Sequence, residues 1–108
     1  MKKLKISFDY DGCLAEDRQK KIAAKFIADG HDVYITTSRD EKESRFYANA
    51  IVFKVAEQLG IPKENIRFTN GDKYPFLHDF DLHFDDDQIE VELIEENTNC
   101  TCILIYDP

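Results

Sequence analysis

Residues 8–14 read Phe-Asp-Tyr-Asp-Gly-Cys-Leu, and they continue the short apolar run Leu-Lys-Ile-Ser at residues 4–7. This pattern predicts a strand over residues 4–9, after which Gly12 lets the backbone turn sharply. The carboxylates of Asp9 and Asp11 would lie on the same side of an extended chain, and at about 4 Å they would repel by roughly 4 kcal/mol at an effective dielectric near 20. A fold tolerates such repulsion where a cation lies between the charges or where one carboxylate keeps a proton. Both conditions suit phosphoryl transfer, in which a metal-bound carboxylate attacks and a neighbouring carboxylic acid donates a proton.

Strand and helix patterns alternate along the rest of the chain. The apolar spacing predicts helices over residues 17–29, 41–59 and 88–96, and further strands over residues 32–37, 65–69, 82–85 and 102–106. Two pairs of acids, Asp40 with Glu43 and Asp87 with Glu90, have the spacing that caps a helix from both directions. Residues 70–81 begin with Asn-Gly and contain a proline, so we expect a loop with one helical turn near residues 76–79.

Strands joined by helices are expected to form a parallel sheet with helices on both faces. The prediction is one domain over residues 1–108 with a Rossmann-like three-layer α/β/α sandwich and a five-stranded, mostly parallel sheet. In such sheets, ligands bind beyond the carboxyl ends of the strands. The polar residues expected there are Asp9 and Asp11 after the first strand, Thr37 and Ser38 after the second, Lys73 beyond the third, and Asp85 and Asp86 after the fourth.

Composition and charge exclude several classes of protein. The 108 residues contain no apolar run of the 18 or so residues that a membrane span needs, and the charged residues of the amino-terminal stretch argue against a signal peptide. The net charge of −8 argues against extended nucleic-acid binding, but not against a phosphorylated small molecule held beside a divalent ion. Three cysteines are an odd number, which favours reduced thiols and a cytoplasmic location. Cys100 and Cys102 would share one side of a strand, and no second ligand pair is spaced to complete a zinc site.

Four motifs, in order along the chain, resemble those of the haloacid dehalogenase superfamily of phosphohydrolases. Residues 8–14 match its D-x-D-G signature, and residues 34–38 are an apolar strand that ends in hydroxyl side chains. Lys73 would be the third motif, and residues 82–86 are an apolar strand that ends in two acids. The resemblance extends from Ile6 to the last strand, and its strength comes from the four motifs together.

The resemblance implies a role for the residues after the first two strands. Asp9 would be the nucleophile, forming an aspartyl-phosphate and binding Mg²⁺. Asp11 would protonate the leaving oxygen and then activate water, while its backbone carbonyl binds the metal. Thr37 would donate a hydrogen bond to the phosphoryl oxygens, with Ser38 as the alternative.

The same resemblance assigns the remaining residues. Lys73 would neutralise charge on the phosphoryl group and on the nucleophile; the competing interpretation is a solvated loop lysine. The metal site would be completed by Asp86, by Asp85 or by both, and Asp87 is assigned to the helix cap.

The spacing of the motifs leaves no room for the cap domain that the superfamily usually carries, so the chain resembles the capless branch. Its site would be open, and a neighbouring subunit of a homo-oligomer or a large substrate would supply selectivity. Because Asp11 could protonate an alkoxide, we expect a Mg²⁺-dependent phosphatase acting on a phosphorylated small molecule or larger substrate, in preference to a dehalogenase. The alternatives are a non-catalytic regulatory domain and a nucleotide or polynucleotide phosphatase. A phosphorylation receiver is disfavoured because residues 68–70, after the third strand, offer no acceptor Asp.

Four other residues receive simpler interpretations. His31 and His78 lie near turns and are predicted to be on the surface. His83 alternates with apolar residues in a strand and is predicted to be structural. Arg39, directly after the second motif, could reach a substrate or form a surface salt bridge.

Overall fold

A five-stranded, all-parallel sheet organises the computed structural model, which describes residues 2–43 and 48–106. The strands are β1 (Lys5–Phe8), β2 (Asp32–Thr37), β3 (Ile66–Phe68), β4 (Leu82–Asp85) and β5 (Thr101–Leu104), in the order β3-β2-β1-β4-β5. The chain moves outward from β1 through β2 to β3 and then returns to the other side of β1. This reversal of strand order lies beside β1, where ligands bind in folds of this kind. The predicted Rossmann-like α/β fold is confirmed, and its three-layer arrangement stays a prediction.

The described part of the chain contains three α-helices, which connect β1 to β2, β2 to β3 and β4 to β5: α1 (Asp17–Ala28), α2 (Ala50–Leu59) and α3 (Gln88–Asn97). Ala23 of α1 and Val52, Val55 and Ala56 of α2 are buried in one apolar cluster, together with side chains of β1, β2 and β4. Ile94 of α3 belongs to a second cluster, which contains Leu77, Phe80 and Cys100. β2 contributes to both clusters because its side chains alternate between the two faces of the sheet.

Of the two acids predicted to cap the last helix, Asp87 is confirmed as a capping residue. Oδ1 of Asp87 accepts hydrogen bonds from the backbone N–H of Ile89 at 2.9 Å and of Glu90 at 3.4 Å. These bonds satisfy two of the backbone donors that a helix start leaves unpaired. Asp87 is therefore committed to the helix, which leaves the two preceding acids for the site.

The helix predicted over residues 41–59 is wrong at residues 41–43 and 48–49, since α2 spans Ala50–Leu59. Asp40 forms a turn instead, in which its Oδ1 accepts from the backbone N–H of Lys42 at 2.9 Å and its carbonyl accepts from that of Glu43 at 3.2 Å. An Asp side chain that pairs with the backbone two residues later favours a turn over a helix start. Residues 44–47 of the predicted helix lie outside the described residues.

The remaining boundaries differ only slightly from the prediction. β2 and β4 match it, whereas β1 and β3 are shorter and β5 begins and ends earlier than predicted. The helical turn expected near residues 76–79 is a 3₁₀ turn at Tyr74–Phe76. Within the described residues, none of the helices has the length and apolar character needed to cross a membrane.

Pairing between β1 and β4 positions the site. Phe8 lies opposite Phe84, and their rings stack with centroids 4.6 Å apart. The backbone N–H of Asp9 donates to the carbonyl of Phe84 at 2.9 Å, which continues the ladder one residue past the strand. The side chains that follow these two phenylalanines are therefore held side by side at the carboxyl edge of the sheet.

Candidate active site

Lys73 lies between two buried carboxylates. Its Nζ is 2.9 Å from Oδ1 of Asp9 and 2.7 Å from Oδ2 of Asp85. The exposed fractions of the three side chains are 3% for Lys73, 7% for Asp9 and 0% for Asp85. The interpretation of Lys73 as a solvated loop lysine is therefore wrong. Charges buried this deeply are tolerated only when they are paired and hydrogen-bonded.

The loop that carries Lys73 is short and tied to its surroundings. The backbone N–H of Asn70 donates to the carbonyl of Arg39 at 3.2 Å, and the hydroxyl of Thr69 donates to the carbonyl of Gly71 at 2.7 Å. After Lys73, the 3₁₀ turn leads into Leu77, which is fully buried. These contacts direct the lysine inward, which the composition of the loop did not predict.

Asp85 is held by donors on both of its oxygens. Oδ2 receives Lys73 and also lies 2.8 Å from Nε2 of His83, while Oδ1 accepts from the backbone N–H of Asp87 at 3.1 Å. Burial alone would raise the pKa of Asp85, but the hydrogen bond with His83 and the charge of Lys73 hold that pKa below its usual value. Asp85 is therefore the stable anion of the cluster.

Asp9 has the opposite electrostatic environment. Burial, together with the negative charge of Asp85, raises the pKa of Asp9 to about 8, and Lys73 only partly opposes this. The sequence predicted electrostatic repulsion between Asp9 and Asp11. In the structure, the charge that raises the pKa of Asp9 is that of Asp85. Asp11 lines the same cavity as Asp9, but its charge is not among the causes that raise the pKa of Asp9.

Asp11 instead forms a two-point ion pair with Arg39. Nε of Arg39 donates to Oδ2 at 2.9 Å and Nη2 donates to Oδ1 at 2.8 Å. The guanidinium also donates to the carbonyl of Ala48 and lies 5.2 Å from the ring centre of Tyr10. The hydrogen bonds from Arg39 lower the pKa of Asp11. Of the two interpretations of Arg39, the structure supports the salt bridge, which lies at the rim of the site.

A cavity of about 650 Å³ collects residues from all four sequence motifs. The candidate residues on its wall are Asp9, Asp11, Ser38, Lys73, Asp85 and Asp86. Thr37 is fully buried, and its hydroxyl accepts from the backbone N–H of Arg39 at 3.3 Å. The structure therefore brings Ser38, the alternative hydroxyl, to the cavity wall.

Three carboxylates could share one cation. Asp9, Asp85 and Asp86 each offer an oxygen, and these oxygens lie within 4.8 Å of one another. Gly12 makes room for the third, because a Cβ added there would lie 2.0 Å from Oδ2 of Asp86. Carboxylate oxygens are the ligands that Mg²⁺ prefers, so this donor set fits the ion. Asp9 and Asp86 suit it best, since Asp85 already receives hydrogen bonds on both oxygens.

The three histidines differ in how far they match their predicted roles. His83 was predicted to be structural, and in the structure its side chain contacts Asp85. Its position two residues before Asp85, on the same side of a strand, could have indicated this contact. His31 is half-buried, and its Nδ1 accepts from the backbone N–H of Leu4 at 2.9 Å, so its surface assignment is wrong. His78 is exposed, as predicted.

Comparisons with protein-family models and with curated protein sequences identify no relative of this chain. The chain matches no protein-family model and no curated protein sequence. The functional interpretation therefore depends on the residues and their geometry.

Replacing Gly12 by Ala should weaken Mg²⁺ binding at least about tenfold, because the new methyl group displaces the carboxylate of Asp86. Gly60→Ala is a matched control: Gly60 also has a positive φ, of +81° against +70°, but no atom lies within 4 Å of its added Cβ. Both variants should lose about 1–2 kcal/mol of stability from the left-handed backbone. Titration calorimetry with Mg²⁺ separates them, and equal affinities in the two variants would contradict the placement of Asp86.

Replacing Lys73 by Met should lower the free energy of unfolding by roughly 3–5 kcal/mol, because two buried carboxylates lose their cation. Lys25→Met removes an exposed pair with Asp29 on α1 and should cost less than about 1 kcal/mol. Chemical denaturation in a metal chelator measures both values. A small loss for Lys73→Met would show that the buried cluster contributes little.

Proposed function

We propose that this chain is a Mg²⁺-dependent phosphatase of the haloacid dehalogenase type, in its capless branch. It would hydrolyse a phosphate monoester through an aspartyl-phosphate on Asp9. The observation that carries the proposal is the buried Lys73, which bridges Asp9 and Asp85 from a position 64 residues after Asp9. A structural role alone would not require two buried acids and a lysine beside an exposed third acid.

Asp9 is suited to be the nucleophile. One of its oxygens is held by Lys73, and the residue lies on the wall of the cavity. In the first step a carboxylate oxygen of Asp9 forms a bond to phosphorus as the bond from phosphorus to the leaving oxygen breaks. In the second, water attacks phosphorus and releases the carboxylate. When bound, Mg²⁺ would supply positive charge that favours the ionised carboxylate and the phosphoryl oxygens.

Lys73 and Ser38 are the available donors to the phosphoryl group. The ammonium of Lys73 is fixed by its two ion pairs and so needs no reorganisation during the reaction. Ser38 is exposed on the cavity wall, where its hydroxyl can donate to an equatorial oxygen. Positive charge and donors around these oxygens are the main requirement of phosphoryl transfer.

Asp11 is suited to the proton transfers, with one constraint. As an ionised group held by Arg39 it can accept a proton from the attacking water in the second step. To protonate the leaving oxygen in the first step, it must first take up a proton, which the ion pair opposes. Esters whose leaving group departs without a proton, such as aryl phosphates, are therefore the best first substrates.

The proposal extends to the setting of the enzyme. The three cysteines are free thiols, in keeping with a reducing compartment such as the cytoplasm. An open cavity lined by acids would leave substrate selection to a neighbouring copy of the chain or to a large phosphorylated substrate. Extended nucleic acid would be repelled by the net charge of −8.

The decisive test is Mg²⁺-dependent release of phosphate from p-nitrophenyl phosphate. Turnover should require Mg²⁺ and should fall by at least about 10³-fold in Asp9→Asn, because the amide cannot form the phosphoaspartate. Asp29→Asn, an exposed acid at the end of α1, is the matched control and should keep full activity. Retained turnover in Asp9→Asn would overturn the proposal. A stable phosphoprotein without turnover would indicate the regulatory alternative.

The raised pKa of Asp9 predicts that its ionisation destabilises the folded state. The variant Asp9→Asn should remove this destabilisation. Because the folded pKa of about 8 exceeds the unfolded value of 3.8, the folded state binds the proton more tightly, and stability should fall as pH rises from about 4 to 8. Without metal at pH 8, Asp9→Asn should therefore be more stable than the wild type, by roughly 2 kcal/mol. Melting temperatures in a chelator between pH 5 and 9 measure the difference, which should grow with pH and level off above 8. A difference that does not change with pH would contradict this account of the buried charges.

A further inference from the structure

We propose that His83 is a positioning residue for the reaction: its Nε2–H fixes Asp85, and Asp85 in turn holds Lys73 against the nucleophile. This inference rests on the proposed function and extends it to a residue that touches neither substrate nor metal. It depends on one chain of contacts in the interior of the protein. That chain runs from His83 through Asp85 and Lys73 to Asp9.

The contacts assign the proton on the imidazole. Nε2 of His83 lies 2.8 Å from Oδ2 of Asp85, and a carboxylate held by Lys73 can only accept a hydrogen bond. Nε2 must therefore carry the hydrogen. Nδ1 is then the unprotonated nitrogen, and it has no hydrogen-bond partner among the described residues. An unpaired N–H at that buried position would be the less favourable arrangement, because genuinely orphaned donors are rare.

Within the described residues, the imidazole of His83 has no hydrogen-bond partner other than Asp85. Its side chain is 0% exposed. In the sheet it lies opposite Ser7 on β1 and Cys102 on β5. The hydroxyl of Ser7 donates to Thr36 at 2.7 Å and is thus engaged elsewhere. Among the described residues, the one hydrogen bond of the His83 side chain is to Asp85, so an apolar residue would serve the core equally well unless that contact has a function.

The contact completes the immobilisation of Asp85. Its Oδ1 is fixed by the backbone N–H of Asp87, and its Oδ2 is fixed by His83 and Lys73 from two directions. Without His83, Oδ2 keeps Lys73 as its one donor among these three, so the carboxylate is held less tightly. The ammonium of Lys73 would then lose its alignment with Asp9. Since Lys73 would stabilise negative charge on the phosphoryl group in the transition state, the loss should appear in kcat more than in KM.

Two substitutions separate positioning from packing. His83→Gln keeps an N–H donor at about the reach of Nε2, whereas His83→Leu fills the space without a donor. With p-nitrophenyl phosphate at saturating Mg²⁺, His83→Leu should lower kcat about 10–100-fold with KM changed less than about twofold, and His83→Gln should recover most of the loss. The exposed His78→Leu is the control and should leave both constants unchanged. A folded His83→Leu with wild-type kcat would overturn the inference.

A measurement on the wild type covers the case in which the variants fail to fold or the protein shows no turnover. Nitrogen NMR of the imidazole should show a protonated Nε2 and an unprotonated Nδ1 for His83. The Nδ1–H tautomer would overturn the inference, whatever the enzymatic result. Where His83→Leu folds, the Nζ resonance of Lys73 should shift, and in His83→Gln it should stay near its wild-type position. Failure of the phosphatase assay, with these signals as expected, would reject the proposed function and leave only the structural contact.

Discussion

The buried ammonium of Lys73, placed between the carboxylates of Asp9 and Asp85, is the interaction on which this site depends. When both acids are ionised, one negative charge is left uncompensated among side chains that are at most 7% exposed. Asp85 keeps its charge because it receives donors on both oxygens, and Asp9 therefore bears the cost of ionisation. That cost falls when positive charge is added beside Asp86. The arrangement thus links the ionisation of Asp9, the proposed nucleophile, to the binding of a cation.

The order of the strands explains why residues distant in sequence meet there. β1 and β4 are neighbours although two strands and two helices separate them along the chain. Their carboxyl ends deliver Asp9 and Asp85 side by side, and the turn at Gly12 clears space for Asp86. Lys73 enters from the loop just before β4, which is held close to β2 by the bond between Asn70 and Arg39. The geometry of the candidate site follows from sheet topology more than from any local motif.

Much of this could be predicted from sequence, because apolar period and strand-end position are local signals. β2 and β4 were located to the residue, and the acids after β1 and β4 were placed at the correct edge. Contacts across the chain were not predictable in the same way. Nothing near Asp11 indicates that Arg39, 28 residues later, donates to both of its carboxylate oxygens. The start of α2 was misplaced because the side chain of Asp40 pairs with the turn that follows it.

The contacts of the Arg39 guanidinium with Asp11, Ala48 and Tyr10 have a mechanical consequence. One end of its guanidinium grips Asp11, and the other is attached to the carbonyl of Ala48, just before α2. A displacement of the backbone at Ala48 would therefore be transmitted to the Asp11 carboxylate through a single side chain. A bulky ester that contacts the start of α2 could weaken the ion pair between Arg39 and Asp11. In the proposed reaction, proton transfer by Asp11 would then depend on the shape of the substrate as well as on its chemistry.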